Sequence, residues 1–340
     1  MYRGMARRYR LRGTPTGTEG VALYTRPKRS SPINMVEPDR VSLDDAHRRA
    51  FKRNGVLELP VRLPAELIDP AYDRIAAYIE DSDDHPSLED RPDQSWHPHI
   101  RMHLDLWQEI NEFLHPYAAA LVGEDLLAEP NDEITVVTRW PVKEGLTDPS
   151  AYDDGRLRPA SPHVDDQIAH EHYDINTAFS QDSMLFSLGA AIYLHDVPPR
   201  SGGFCGWPGA HWAVARHMEE YPEKDVLSGE DPPPAITEDG WDESRSFVDQ
   251  VPPFEFTGPA GTVVLWHGQM VHSGGLPLEP SRPRMAAFTR FGHREEFLGD
   301  DWMPHPFQGD PFPDRYWPAM VDVDGRPELP FDEPPAADQS

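Results

Sequence analysis

The chain has 340 residues, enough for one large domain or two ordinary ones around a substantial core. Its 59 acidic and 31 basic residues give a formal charge of −28, which argues against nucleic acid and anionic membranes as partners, since both require basic patches. The single cysteine, Cys205, excludes an intrachain disulfide framework and a multi-cysteine zinc site, and no apolar run reaches the ~20 residues of a membrane helix or forms the core of a signal peptide; the expectation is a cytoplasmic protein acting on a small molecule.

Residues 1–34 hold eight basic residues and one acid, Glu19, so they carry +7 and leave −35 on the rest. They show no periodicity and read as a disordered basic segment, or as an artefact of a start codon placed upstream of Met35. Only four basic residues are lysine (Lys28, Lys52, Lys143, Lys224), which fits either high internal salt screening an acidic surface or a genome that favours Arg codons.

The first helix is predicted after Ser42 as cap, with Asp44 and Asp45 in its first turn and Gly55 at its end. Val56-Leu57-Glu58-Leu59 reads as a short strand. A second helix falls within 64–80, interrupted or started by Pro70, and 82–98 reads as a polar loop. A third helix, 102–122, carries Leu104, Trp107, Ile110, Phe113 and Leu114 on one face. From about 133 the texture becomes that of strands: 134–140, 184–194, 254–256, 262–266 and 285–291, separated by Pro- and Gly-rich turns. Such spacing suggests an antiparallel sandwich or barrel. The acidic stretch 213–250 reads as an insertion able to act as a lid. The segment 304–340 holds nine prolines and reads as a tail wrapping the surface or partly disordered. The expected organisation is therefore 1–34, a principal domain over 35–303, and a tail over 304–340.

The chemistry is carried by His163-Val164-Asp165. Two ligand-capable side chains at i and i+2 of a strand share a face, and a histidine beside a carboxylate, joined by a distant histidine, is the facial triad of non-haem Fe(II). Asp166 competes with Asp165 but points to the other face. The distant histidine is sought in Gly261 to Gly275, which offers His267 and His272. Arg282-Pro283-Arg284 opens the next strand, and an arginine there suits a bidentate grip on a dicarboxylate. Thr138 and Arg139, on the strand before His163, are candidates for touching co-substrate or substrate. His170 and His172 read as exposed loop residues beyond the His-x-Asp triplet.

Three blocks in order, His163-Val164-Asp165, Leu188 to His211 and Gly261 to Phe291, together with the opening Phe51-Lys52-Arg53-Asn54-Gly55, resemble the phytanoyl-CoA dioxygenase family of Fe(II)/2-oxoglutarate oxygenases. The resemblance implies a mainly β fold with flanking helices, a double-stranded β-helix of the jelly-roll or cupin kind. It implies Fe(II), 2-oxoglutarate and O2 as cofactor and co-substrates, His163, Asp165 and His272 as iron ligands, and Arg284, or else Arg282, as anchor of the distal carboxylate. Thr138 and Ser273 are further candidates at 2-oxoglutarate. A carboxylate in the Asp165 position implies hydroxylation, since halogenating relatives leave that position empty for chloride. The family often has serine two residues past the distal histidine; this chain has Gly274 there and Ser273 one residue earlier. Two rivals stay open: a cupin-type metal-dependent dioxygenase or isomerase that does not use 2-oxoglutarate, and a non-catalytic jelly-roll binding module.

Overall fold

A computed structural model of the chain describes residues 42–90, 99–130, 132–141, 172–173, 186–220, 253–275, 277, 282–294 and 309–327. The basic segment 1–34 lies outside them, as does 221–250, the greater part of the expected acidic insertion.

Helix α1, Asp45–Asn54, begins at Asp44, whose carboxylate accepts the His47 N–H at 2.9 Å. The cap is therefore Asp44 rather than Ser42, because its side chain reaches the third helical N–H. Gly55 ends the helix at φ +71°, where a Cβ would also collide with the His211 ring. Strand β1 (Val56–Glu58) follows, then α2 (Ala65–Glu80). Pro70 neither starts nor breaks α2: the helix runs through it, and Pro70 lies on the exposed face, where the bond it cannot make is lost to water. The helix expected from 102 begins at 105, as α3 (Asp105–Val122), and is preceded by an unexpected strand, β2 (His99–His103). Among the described residues β2 pairs only with β3, and its polar His99, Arg101 and His103 escape a reading based on apolar alternation.

Then come β3 (Glu133–Arg139), β4 (His172–Tyr173), β5 (Phe186–Tyr193), β6 (Phe204–Gly206), α4 (Ala210–Glu220), β7 (Phe254–Glu255), β8 (Val263–His267), β9 (Val271–Gly274) and β10 (Arg284–Gly292). Helix α4 corrects the reading of 213–250 as one loop: Ala210, His211, Trp212 and Ala215 are buried, and the His211 and Trp212 ring nitrogens meet the Lys52 carbonyl at the end of α1, at 3.0 and 2.9 Å.

The strands form two antiparallel sheets, β1-β8-β5-β10-β3-β2 and β4-β9-β6-β7. From β3 to β10 the chain crosses repeatedly between them, which is the winding of a double-stranded β-helix. Tyr193 on β5 ties the sheets together, its hydroxyl donating to the Phe256 carbonyl (2.5 Å) and accepting the Phe204 N–H (2.8 Å). Burial pushes that phenol well above its ordinary range, so it stays a neutral donor. Phe204 meets Trp266 across the gap at 5.0 Å.

Residues 309–327 also enter the core. Phe312 and Trp317 are buried against Phe51 (6.1 and 6.0 Å), and the Lys52 ammonium donates to the Met320 carbonyl at 2.8 Å.

Candidate active site

β9 carries His272 into the space between the sheets. The residue is 5 % exposed, its ring stacks on Phe204 (5.3 Å) and tilts over Trp266 (5.4 Å). Its Nδ1 lies 2.8 Å from the Met270 carbonyl. A carbonyl only accepts, so Nδ1 holds the proton and the lone pair of the neutral ring is on Nε2. This is how proteins fix the tautomer of a metal-binding histidine.

His267, the rival for the distal position, is fully buried with both nitrogens occupied in the fold. Nδ1 accepts the Gln269 N–H (3.1 Å) and Nε2 donates to the Pro311 carbonyl (2.8 Å). Burial lowers its pKa to about 3, and its ring stacks on Trp317 at 4.9 Å. It is a packing histidine.

His163 and Asp165 lie outside the described residues. What the register does bring to His272 is position 172: β4 pairs with β9 so that His172 stands directly opposite His272, and Tyr173 opposite Val271. The sequence reading left His172 in a loop. The signal that would have promoted it is in the sequence, where His172-Tyr173-Asp174 repeats the His-x-Asp spacing of 163–165.

Two residues beyond His272 on the same strand is Gly274, and two guanidinium groups meet there. Arg284 and Arg139 are direct partners in the β10–β3 register and so share a face. Arg284 is 2 % exposed; its Nε donates to the Gly202 carbonyl (2.7 Å) and its Nη1 to the Val137 carbonyl (3.1 Å). Arg139 donates through Nη1 to the carbonyls of Gly274 (2.9 Å) and Gly275 (3.2 Å). A Cβ on Gly274 would sit 3.0 Å from the Nη2 of each arginine. Burial first, and then the charge of Arg139, lowers the Arg284 pKa to about 10, which leaves it a cation at neutral pH. The turn before β6 makes the site possible: Gly202 adopts φ +84° and presents its carbonyl to Arg284.

Among the described residues Glu255 is a carboxylate nearby, accepting the N–H groups of Arg200 (2.9 Å) and Gly203 (3.0 Å). Burial raises its pKa despite those bonds. Burial, with the Glu255 charge behind it, likewise drives the Cys205 thiol well above its usual range, so it is an inert small residue and no nucleophile.

Other expectations fall elsewhere. Thr138 precedes Arg139 and so lies on the opposite face of β3, fully buried with Ile134 and Val136; the two-residue period of the strand takes it away from the arginines. Ser273 pairs with Cys205 in the β6–β9 register. Arg282 is exposed, its guanidinium 5.8 Å over the Tyr72 ring.

The sequence model of the phytanoyl-CoA dioxygenase (PhyH) family matches residues 51–278. The chain belongs to the phytanoyl-CoA dioxygenase family. It is accordingly an Fe(II)/2-oxoglutarate-dependent oxygenase, with O2 as the second co-substrate. A search of curated protein sequences finds no match. Similar solved structures include apo EctD from S. alaskensis (16 % identity, 86 % of this chain and 88 % of that one, TM-score 0.46). The non-haem α-ketoglutarate-dependent carbocyclase SnoK of nogalamycin biosynthesis is another (17 %, 73 % and 84 %, TM-score 0.44). A third is HygX from Streptomyces hygroscopicus with nickel and 2-oxoglutarate bound (14 %, 74 % and 87 %, TM-score 0.41).

The residues present suit these groups. His272 offers an imidazole of defined tautomer, and the Arg139 and Arg284 guanidinium groups reach Gly274, two residues further along the same strand.

Proposed function

We propose that this chain hydroxylates an unactivated C–H bond of a small organic molecule, converting one O2 and one 2-oxoglutarate to succinate and CO2 as one oxygen atom enters the product. The observation that carries this reading is the pairing of a tautomer-fixed buried histidine with a buried guanidinium on the same side of the β9 strand. Bound iron supplies the oxygen chemistry. The protein holds the metal through His272 Nε2, holds the distal carboxylate of 2-oxoglutarate through Arg284, and keeps bulk water away with Phe204 and Trp266. Arg284 is preferred to Arg282 because it is buried and fixed by two carbonyls.

The remaining ligands on this reading are one His-x-Asp pair. His163 and Asp165 are the pair assigned from sequence. A second candidate pair is His172 and Asp174: the β4–β9 register sets position 172 opposite His272, and His172-Tyr173-Asp174 has the same His-x-Asp spacing in the sequence. A coenzyme A thioester is not favoured as substrate, since its phosphates call for basic residues and the chain carries −28.

Anaerobic addition of Fe(II) and 2-oxoglutarate should give a weak visible charge-transfer band, and a substrate screen should find compounds that stimulate succinate release. Asp174→Ala should abolish the band and Asp165→Ala leave it, if the register names the pair; the converse assigns 163 and 165. A band that survives both changes refutes the triad. Metal-dependent turnover without succinate would place the chain with cupin-type dioxygenases or isomerases, and a protein with neither band nor turnover is a binding module.

A further inference from the structure

Resting on the reading of Arg284 as co-substrate anchor, we propose that Glu255 on β7 is a positioning residue for it, acting through the turn 200–203. Glu255 stands opposite Cys205 in the β6–β7 register, on the outer face of the small sheet, whereas Phe204 stacks on His272 on the inner face. From the outer face its two carboxylate oxygens are divided between two points of the turn: Oε2 accepts the Arg200 N–H (2.9 Å) and Oε1 the Gly203 N–H (3.0 Å). Gly202 lies between those two anchored residues, and its carbonyl accepts the bond from Arg284 Nε at 2.7 Å.

The turn needs such a hold. Among the described residues Arg200 is the one residue other than glycine in the left-handed region, at φ +62°, and Gly202 follows at φ +84°. A side chain in that region is strained and persists only where its surroundings fix it. N–H groups gathered by a turn make a concave seat for an anion, and here Glu255 fills it. Gly275 completes the arrangement: its N–H donates to the Gly203 carbonyl (2.7 Å), and a Cβ on it would stand 2.9 Å from Glu255 Oε1. Of the two carbonyls that orient Arg284, that of Val137 belongs to β3 and is held by strand pairing. That of Gly202 belongs to the turn, so what fixes the turn fixes the direction of the guanidinium fork.

The test uses the full chain loaded with Fe(II) under anaerobic conditions, titrated with 2-oxoglutarate and, separately, with pyruvate, a 2-oxo acid with no distal carboxylate. The readout is the concentration that half-develops the visible band, so it does not depend on turnover. Glu255→Gln keeps the shape but turns one acceptor into a donor facing an N–H. Half-saturation by 2-oxoglutarate should rise at least fivefold, with pyruvate within twofold. In an Arg284→Lys background the same change should add less than twofold, because the fork it orients is gone. Arg200→Gly removes the strain at φ +62°, so Glu255→Gln combined with Arg200→Gly should bind 2-oxoglutarate closer to wild type than Glu255→Gln alone. A merely structural Glu255 would lower the melting temperature, weaken both ligands alike and add in full to Arg284→Lys; that result overturns the proposal. So does a Glu255→Gln protein that binds 2-oxoglutarate as wild type does. If Glu255→Gln does not fold, Glu255→Asp decides, since it keeps both oxygens but withdraws them by one methylene; an unchanged ratio of 2-oxoglutarate to pyruvate binding then overturns the proposal. Absence of any band in the wild-type protein refutes the oxygenase reading itself, an outcome distinct from a wild-type band with an unchanged Glu255 variant.

Discussion

Gly189→Ala should destabilise the protein and disturb the iron site together. Gly189 on β5 is directly opposite Trp266 on β8, and the indole lies over it so closely that an added Cβ would overlap the ring. The indole has nowhere to retreat: Trp266 is 2 % exposed and packed against Phe204 (5.0 Å), His272 (5.4 Å) and Phe288 (5.9 Å). Replacing glycine in an open strand would gain roughly 0.4–1 kcal/mol by restricting the unfolded chain. Overpacking a rigid core costs about 1–3 kcal/mol, and a trapped indole puts this site near the upper end. The net expectation is about 2 kcal/mol of lost stability, which at a slope of roughly 3 kcal/mol per molar urea lowers the midpoint by about 0.7 M. Because the displaced ring presses on His272, the anaerobic Fe(II)/2-oxoglutarate band should weaken as well. A urea midpoint equal to or above that of wild type refutes the packing argument.

Three further outcomes are expected. Trp317→Ala should cost about 3–5 kcal/mol in urea unfolding of the full chain, since the residue is fully buried against His267 and Phe312; a loss under about 1 kcal/mol would remove 309–327 from the core. Stability should fall from pH 7.5 to 5.5, because burial lowers His267 to about 3 and His195 to about 4, so the unfolded chain takes up protons below about 6.5 that the folded one refuses; each histidine costs about 1.4 kcal/mol by pH 5.5, and a flat profile contradicts this. Arg284→Lys keeps the charge and loses the fork held by Gly202 and Val137, so half-saturation by 2-oxoglutarate should rise at least tenfold; unchanged binding removes Arg284 as the anchor.

The legible parts of the fold were those written in local pattern. The strands around 134–140, 184–194, 262–266 and 285–291 announce themselves by β-branched and apolar runs between turns, and each recurs within a residue or two of its expected bounds. β2, β6 and β9 were missed as strands because they are short or polar, and pairing with a neighbour, rather than propensity, makes them strands. α4 was hidden for a similar reason: a long acidic stretch follows it, and its helical face is defined by packing on the end of α1.

The site divides along the same line. Residue chemistry and spacing were enough to nominate a histidine in 261–275 and an arginine at 282 or 284, and the resemblance of three ordered blocks nominated the oxygenase family. Which histidine suits a metal depends on carbonyls that only the folded chain supplies: Met270 fixes the tautomer of His272 through Nδ1, while Pro311, some forty residues on, takes the Nε2 proton of His267. Thr138 and Arg139 are neighbours in sequence, yet the pleat puts them on opposite faces and only Arg139 reaches Gly274. His172 gained its place opposite His272 from strand register. Residue type is local information, whereas proximity follows from the pairing of strands a hundred residues apart, where a slip of one position would turn every side chain to the other face.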